Sequence, residues 1–340
     1  MVIIMANYQI FYSLIFFPLF LFFAIFVSKK FNFVDKPNQR KVHKTSIVNI
    51  SGIILSTYLI IIVGISEFSS ELENVIIIGF LISIVGFFDD RIEMKPGTKF
   101  FLTLFPVCYM ILNGFILTDL GEYQNIDLIS LGKFSIPFTF LSVMLLINAI
   151  NYIDGTDGLL ISYSIIALLY FYILSDKQSY YLSIILIFIY LLAICLIFNF
   201  LPIKSGLKSF VGDAGSLFIS FFISFTLIYL YKYEFIHPAF LIWACWLPVY
   251  DFLHVTLYRL RAKANFSKPD KSHFHHYVLN YFSNNHFKTF LSINSLNIII
   301  IYLGYFVSQQ IGAIYSLLLF VLLFFVFVSM KLKLKKYLKI

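Results

Sequence analysis

Residues 179–200 read SYYLSIILIFIYLLAICLIFNF, with no charged side chain anywhere in the stretch. An α-helix rises about 1.5 Å per residue, so roughly twenty apolar residues cross a hydrocarbon core of about 30 Å. This stretch predicts a transmembrane helix, and the rest of the chain is built in the same way. Of 340 residues, 60% are hydrophobic, 20% aromatic and only 12% charged, with a mean hydropathy of +0.90. So little polar surface cannot coat a soluble globule.

Working outward from 179–200 gives eleven apolar runs: 8–28, 47–66, 73–88, 99–118, 134–152, 158–175, 179–200, 210–231, 237–259, 288–308 and 311–330. The expected fold class is all-α, a polytopic integral membrane protein of 10–11 transmembrane helices forming one domain over 1–340. The first run has no positive charge before it and Lys29 and Lys30 directly after it. It reads as a retained anchor with the N-terminus outside, not a cleaved signal. Alternation from there puts 22 Lys and Arg on the inside, against Lys133, Lys177 and Lys232 outside. Such an excess is the positive-inside pattern, and one missed span would scramble it. The basic tail KLKLKKYLKI then ends in the cytoplasm. The net charge of +8 is thereby an orientation signal, and nucleic acid is not implied as a partner. Cys108, Cys195 and Cys245 sit in apolar runs without paired or metal-type spacing. They read as buried small hydrophobes.

The outside connections are short and acidic, whereas Asp, Asn, His and Gly collect at the inside ends. Four clusters stand out. In GFFDDRIEMKPGTKF (86–100), Asp89 and Asp90 end one span, Glu93 follows and Lys99 opens the next. A solvated helix end is the plain reading, but the helix dipole disfavours anions at a C-terminus by about 0.3 to 1 kcal/mol each. The placement suggests metal ligands or proton acceptors. In NAINYIDGTDGLL (148–160), Asn148, Asn151, Asp154 and Asp157 recur at steps of three. On a helix the first three share a face, and the helix breaks at the Asp-Gly pairs. An Asp at the membrane centre costs about 2.5 to 3.5 kcal/mol, so the row reads as a polar ligand pocket. Helix-to-helix hydrogen bonding would account for Asn148 alone.

In FNFLPIKSGLKSFVGDAGSLF (198–218), Asn199 closes a span and Gly212-Asp213-Ala214-Gly215-Ser216 opens the next. This is either a helix cap or a magnesium corner completed by phosphate. The longest inside loop runs from Asp251 through RLRAKANFSKPDKSHFHHYVL, with five cations beside His273, His275 and His276. A basic loop ordinarily meets anionic headgroups. The histidines lack the cysteine or carboxylate that would complete a transition-metal set. An anionic ligand such as a diphosphate fits better.

Taken in order, DKPNQRKVHK (35–44), GFFDD (86–90), NAINYIDGTDGLL (148–160), FVGDAGS (210–216) and SHFHHYVL (272–279) resemble the motifs of the polyprenyl-phosphate N-acetylhexosamine-1-phosphate transferases. The resemblance covers about residues 35 to 280. It implies an enzyme that moves a HexNAc 1-phosphate from a UDP-sugar to undecaprenyl phosphate and releases UMP, with magnesium (manganese as the alternative ion). By resemblance Asp213 is the metal ligand together with Asn151, and Asp89 and Asp90 are the acidic pair beside the lipid phosphate. Asp89 acts as base or forms a covalent intermediate. Asn151 and Asp154 resemble nucleotide-sugar pocket residues, and Gly155, Asp157 and Phe210 resemble those that hold uracil. His273, His275 and His276 resemble the carbohydrate and phosphate recognition loop, while Lys44 and Lys99 match lysines near the substrate.

The HFHH form resembles the branch using UDP-N-acetylglucosamine and lacks the triple-histidine run of the muramoyl-pentapeptide branch. One departure stands after DKPNQRKVHK, where the family continues with a proline- and double-glycine-rich stretch and this chain reads TSIVNISG. The implied active site draws on loops 29–46, 88–99, 151–158, 199–210 and 259–287, facing the cytoplasm at the inner membrane. The implied partners are the UDP-sugar, undecaprenyl phosphate, the bilayer and a second copy in a homodimer. Two other classes compete with this reading. An ion-coupled transporter would place polar residues at the midplane, often repeated in two halves, a pattern missing from this sequence. An intramembrane aspartyl protease is suggested by Tyr250-Asp251 and Gly212-Asp213, but the two pairs come in the opposite order and Phe210 stands where a glycine would.

Overall fold

A computed structural model describes residues 2–31, 34–35, 47–65, 70–124, 126–175, 181–263 and 272–338. The chain is mostly helical, and each of the eleven apolar runs overlaps helix, although residues 47–49 form a strand and 113–118 are not helical. The helices are α1 (Val2–Lys30), α2 (Ser51–Gly64), α3 (Ser70–Ile92), α4 (Pro96–Leu112), α5 (Ser135–Asn151), α6 (Leu159–Leu174), α7 (Tyr181–Phe200) and α8 (Gly212–Tyr233). There follow α9 (Pro238–Leu241), α10 (Trp246–Arg261), α11 (Phe274–Tyr281), α12 (His286–Gln310) and α13 (Ala313–Leu338). Among the described residues, six helical segments are long and apolar enough to cross a membrane: 132–151, 181–200, 212–233, 238–261, 286–310 and 313–338. The protein is a multi-pass membrane protein.

Three features depart from the expected pattern. Run 237–259 is not one helix: α9 passes through a 3-10 turn (Ile242–Cys245) into α10. The loop carrying the histidines contains a helix of its own, α11. A small sheet joins β1 (Val34–Asp35), β2 (Ile47–Asn49) and β3 (Ser209–Phe210), antiparallel then parallel. Strands of two and three residues are too short to show a period of two in the sequence.

The backbone divides into two compact units. The first comprises Met1–Asn113 and Asp176–Phe222, the second Gly114–Ser175 and Ile223–Ile340. In the first, α3 packs on α2 and α4, and α7 packs on α1 and α2. Its core is aliphatic and aromatic: Leu55, Leu59, Phe188 and Phe218 are buried, and Phe188 meets Phe222 at 4.3 Å between ring centroids. Serines bridge the apolar faces, Ser56 to Ser83 and Ser51 to Ser209, each at 2.7 Å. Such bonds answer hydroxyls that have no water to turn to.

In the second unit α6 packs on α12, α5 on α10, and α11 on α12 and α13. Polar tips of buried aromatics are matched one by one. Tyr163 donates to the Ala244 carbonyl at 2.8 Å, Trp246 Nε1 to Asn297 at 2.7 Å, and Trp243 Nε1 to Ser316 at 2.8 Å. Leaving such a group unmatched in a dry interior costs on the order of 1–3 kcal/mol.

Candidate active site

In the first unit three helix ends supply the acidic groups. Asp89 and Asp90 lie in the last turn of α3, Lys99 in the first turn of α4, and Asp213 at the start of α8. Lys99 Nζ is 2.8 Å from Asp89 Oδ2 and 2.9 Å from Asp213 Oδ2. Asp89 Oδ1 also accepts the Met94 amide at 2.7 Å. The carboxylate thus closes the turn that carries the chain from α3 to α4, where Glu93 takes a positive φ of 45°.

Asp90 faces a different helix. Its two oxygens accept the amides of Asp213 at 3.2 Å and Ala214 at 3.4 Å, the first turn of α8. The dipole that disfavours Asp90 at the end of α3 is answered by that of α8, whose N-terminus attracts an anion. Close approach there needs Gly212. Its φ is +61°, and an added Cβ would sit 2.1 Å from Asn49 Oδ1 and 2.5 Å from Asp90 Oδ2. Asn49 Oδ1 is buried without a hydrogen-bond partner. Phe210, at the end of β3, lies under the Lys208 ammonium, 5.4 Å from the ring centroid.

In the second unit α5 ends at Asn151, three residues before the expected break. Asp154 N then bonds the Asn151 carbonyl at 3.2 Å, Gly155 N bonds Ile153 O at 2.7 Å, and Gly158 takes φ +70° before α6. Asp154 and Asp157 therefore sit in a turn, and the shared helical face expected for Asn148, Asn151 and Asp154 is not formed. The physical reason is that Asp-Gly pairs satisfy turn backbone locally better than they continue a helix. Asn148 spends its amide on its own helix, donating to Met144 O at 2.7 Å.

Against that turn lies α11. A Cβ on Gly155 would fall 2.2 Å from His275 Nε2, so only glycine lets the turn meet the ring. His275 is 4% exposed, and its Nε2 has no hydrogen-bond partner. Burial, first, and the neighbouring His276 hold this imidazole well below the usual histidine range, so it is neutral at pH 7. The His275 and His276 rings are 4.1 Å apart, and His273 stacks on Tyr152 at 4.9 Å and 20°.

The structure thus gathers Asp89, Asp90, Lys99, Asp213 and Phe210 in the first unit. Asn151, Asp154, Gly155, Asp157, His273, His275 and His276 belong to the second. Lys44 lies outside the described residues. Two residues that the sequence reading left without a role belong with the second group. Asp251, in α10, accepts from His273 Nδ1 at 2.9 Å and from the Phe274 amide at 2.9 Å. Lys331, in α13 and 0% exposed, reaches Asp251 Oδ1 at 2.5 Å. Lys331 reads in the sequence as the first charge of a basic tail, and no local signal marks it as buried.

The donor set also bears on the implied metal. Asp89 and Asp213 present carboxylate oxygens around one cationic nitrogen, and hard oxygens are what a magnesium ion takes. No group of three or more His, Cys, Asp or Glu is gathered as a metal cage among the described residues. Magnesium commonly uses one or two carboxylates and leaves the remaining positions to water and phosphate. The residues present fit such an ion, with Asp213 and Asp89 as the side chains to hold it. Asn151, expected as a second ligand, lies in the other unit from Asp213.

Helix ends carrying paired acids, a lysine and a buried histidine group define a multi-pass membrane protein equipped for polar chemistry. Residues 72–231 match glycosyl transferase family 4. The chain is 28% identical over 314 residues, 89% of its length and 83% of the relative's, to a Bacillus subtilis (strain 168) protein named "Probable undecaprenyl-phosphate N-acetylglucosaminyl 1-phosphate transferase". It is 29% identical to the undecaprenyl-phosphate alpha-N-acetylglucosaminyl 1-phosphate transferase of Escherichia coli (strain K12), over 78% of this chain and 74% of that one. The protein of the same name from Yersinia pestis is 29% identical over 80% and 76%. The family match and these relatives agree with the polyprenyl-phosphate N-acetylhexosamine-1-phosphate transferase superfamily that the chain's motifs resemble.

Proposed function

We propose that the protein transfers N-acetylglucosamine 1-phosphate from UDP-N-acetylglucosamine to undecaprenyl phosphate, releasing UMP, and so begins a lipid-linked cell-envelope glycan. The observation that carries this is the Asp89, Lys99 and Asp213 cluster in a chain whose relatives bear that name across some four-fifths of its length. An oxygen of the lipid phosphate forms a bond to the phosphorus next to the sugar. The bond from that phosphorus to the bridging oxygen breaks, and its electron pair leaves on UMP. Both reactants are anions, so the first barrier is charge repulsion. Lys99 supplies one fixed cation between two helix ends, and the rest is positioning.

Magnesium, when bound, would neutralise phosphate charge and make UMP a better leaving group. Asp89 is the group to take a proton from the lipid phosphate or otherwise assist its attack. The Gly155 turn and His275, a neutral ring, offer hydrogen-bonding surface for the nucleotide sugar without adding charge. The proposal includes eleven spans, the N-terminus outside and the C-terminus inside, and chemistry on the cytoplasmic face of the inner membrane. It is supported by the 22 to 3 distribution of basic residues. Each aspartate of the protease alternative is tied to its own lysine, Asp213 to Lys99 and Asp251 to Lys331. A shared-proton aspartyl dyad is poorly served by such pairing.

The test is direct. Purified protein in lipid receives undecaprenyl phosphate and labelled UDP-N-acetylglucosamine, with magnesium or with EDTA. Labelled lipid plus UMP in the magnesium arm is the expected result. A panel of other UDP-N-acetylhexosamines and UDP-MurNAc-pentapeptide sets the sugar, and no lipid product from any of them would overturn the proposal.

A further inference from the structure

The buried ion pair of α10 and α13 has no place in the reaction just outlined. Lys331 is fully buried and Asp251 is 6% exposed, and their nearest atoms are 2.5 Å apart. Desolvating two charges costs several kcal/mol per ion, so burial of such a pair is weak evidence for stability. It calls for another explanation.

Asp251 is fully occupied. Oδ1 takes the Lys331 ammonium and the Phe274 amide, and Oδ2 takes His273 Nδ1. His273 is the N-cap residue of α11, and its ring is clamped between that carboxylate and the face of Tyr152. A carboxylate can only accept, so His273 carries its proton on Nδ1. In that tautomer Nε2 is an acceptor, on a ring whose centroid lies 6.1 Å from that of His275.

We propose that Asp251 and Lys331 are positioning residues that hold His273 in its Nδ1-protonated form, so that Nε2 accepts a hydrogen bond from a hydroxyl or amide of the nucleotide sugar. The assignment rests on the function proposed above. It divides the three histidines by physics: His273 is oriented by a charged pair, His275 is kept neutral by burial, and His276 is half-buried at the edge. Lys331 thereby links the last helix to substrate recognition, although it lies a hundred residues beyond the family match at 72–231.

The first measurement needs no substrate. Protein with ¹⁵N-labelled histidine, in lipid nanodiscs, is read by nitrogen chemical shifts, with His273 assigned through His273→Gln. The expected wild-type spectrum has Nδ1 protonated and Nε2 bare at pH 7.5. Asp251→Asn, which offers the ring a donor as well as an acceptor, is expected to shift the population to the other tautomer. Nε2 protonated in the wild type, or shifts unchanged by Asp251→Asn, overturns the proposal whether or not the sugar transfer is found.

The second measurement is a double-mutant cycle on turnover. Asp251→Asn and Lys331→Met should each lower kcat/KM roughly 10- to 100-fold, the range for outer partners that orient a histidine. On a His273→Gln background neither should cost more than about twofold, because both act through the ring. Lys331→Arg should restore most of the activity. Losses that add to that of His273→Gln overturn the positioning role, since a merely structural pair would give them. Absence of transfer in the wild type would count against the proposed function alone.

Discussion

The Lys99 ammonium stands between Asp89 and Asp213, 2.8 Å from one carboxylate and 2.9 Å from the other. One cation from α4 thus serves acids brought by α3 and α8, residues far apart in the chain. Removing it leaves two carboxylates facing each other with nothing between them. Lys99→Met is expected to lower turnover by about 10²-fold or more, the scale for losing a fixed charge at a phosphoryl or acyl centre, and Lys99→Arg to recover part of it. Steady-state kinetics on membranes with matched protein levels check both.

Asp213→Asn and Asp89→Asn keep size but remove the charge and one of the two acceptor oxygens. Each is expected to abolish turnover while leaving the protein inserted and folded. Full activity in either variant, measured by labelled lipid product, would remove that residue from the chemistry. The two should also differ in metal response. Asp213→Asn is expected to need far more magnesium for any residual rate, because it removes a side chain suited to hold the ion.

At Gly155 the turn after α5 touches His275 Nε2 so closely that a methyl group has no room. His275 is buried and cannot swing away cheaply. Gly155→Ala is therefore expected to displace ring and turn together. KM for the UDP-sugar should rise by roughly tenfold, with a smaller change in the KM for undecaprenyl phosphate. His275→Ala should show the same bias. Equal effects on both substrates would reject this assignment.

Much of this was legible in the sequence, and the reasons are uneven. Eleven apolar runs are strong signals because lipid tolerates little else, and each overlaps helix, six of the helical segments being long and apolar enough to cross a membrane among the described residues. Asp89, Asp90, Lys99 and Asp213 could be picked out because charge at the edge of an apolar run has few structural excuses. The pairing among them could not be read, since no spacing rule relates residue 99 to residue 213. The Asn148 to Asp157 row misleads at its end: steps of three suggest a helical face, but Asp-Gly turns end α5 at Asn151. Lys331 was invisible because KLKLKK looks the same whether its first lysine points at water or into a core. Its burial depends on Asp251 being eighty residues upstream, a tertiary fact.

His275 also sets a pH dependence. Its imidazole is held well below the unfolded value of about 6.5 by burial and by His276. A histidine with a depressed native pKa leaves the unfolded state binding the extra proton. Its contribution to stability is therefore complete above about pH 6.5 and is lost as pH falls toward the native value. The slope approaches 1.36 kcal/mol per pH unit for one proton. Thermal unfolding of wild type and His275→Gln in the same lipid, from pH 8 to pH 5, should give a constant difference down to about pH 6.5. Below it the difference should shrink as the wild type loses stability faster. Parallel curves throughout would mean that His275 is not held neutral.

Asp90 poses the sharpest choice between structure and chemistry. By resemblance it is half of the catalytic acidic pair, yet its oxygens meet the amides of Asp213 and Ala214, the first turn of α8. If capping is its main work, Asp90→Asn keeps one of the two acceptors and loses the charge against the dipole, the latter about 0.3 to 1 kcal/mol. Asp90→Ala loses the cap as well, about 0.5 to 2 kcal/mol. Unfolding temperature should then fall in the order wild type, Asn, Ala, and activity should follow it, because the cap sets where the Asp213 backbone begins α8. A direct role in proton or metal handling gives a different pattern: Asp90→Asn would be as inactive as Asp213→Asn while melting like the wild type. The geometry favours the first pattern. Since Gly212 leaves no space for a side chain between Asn49 and Asp90, Gly212→Ala should lower stability in the same assay by more than Asp90→Asn does.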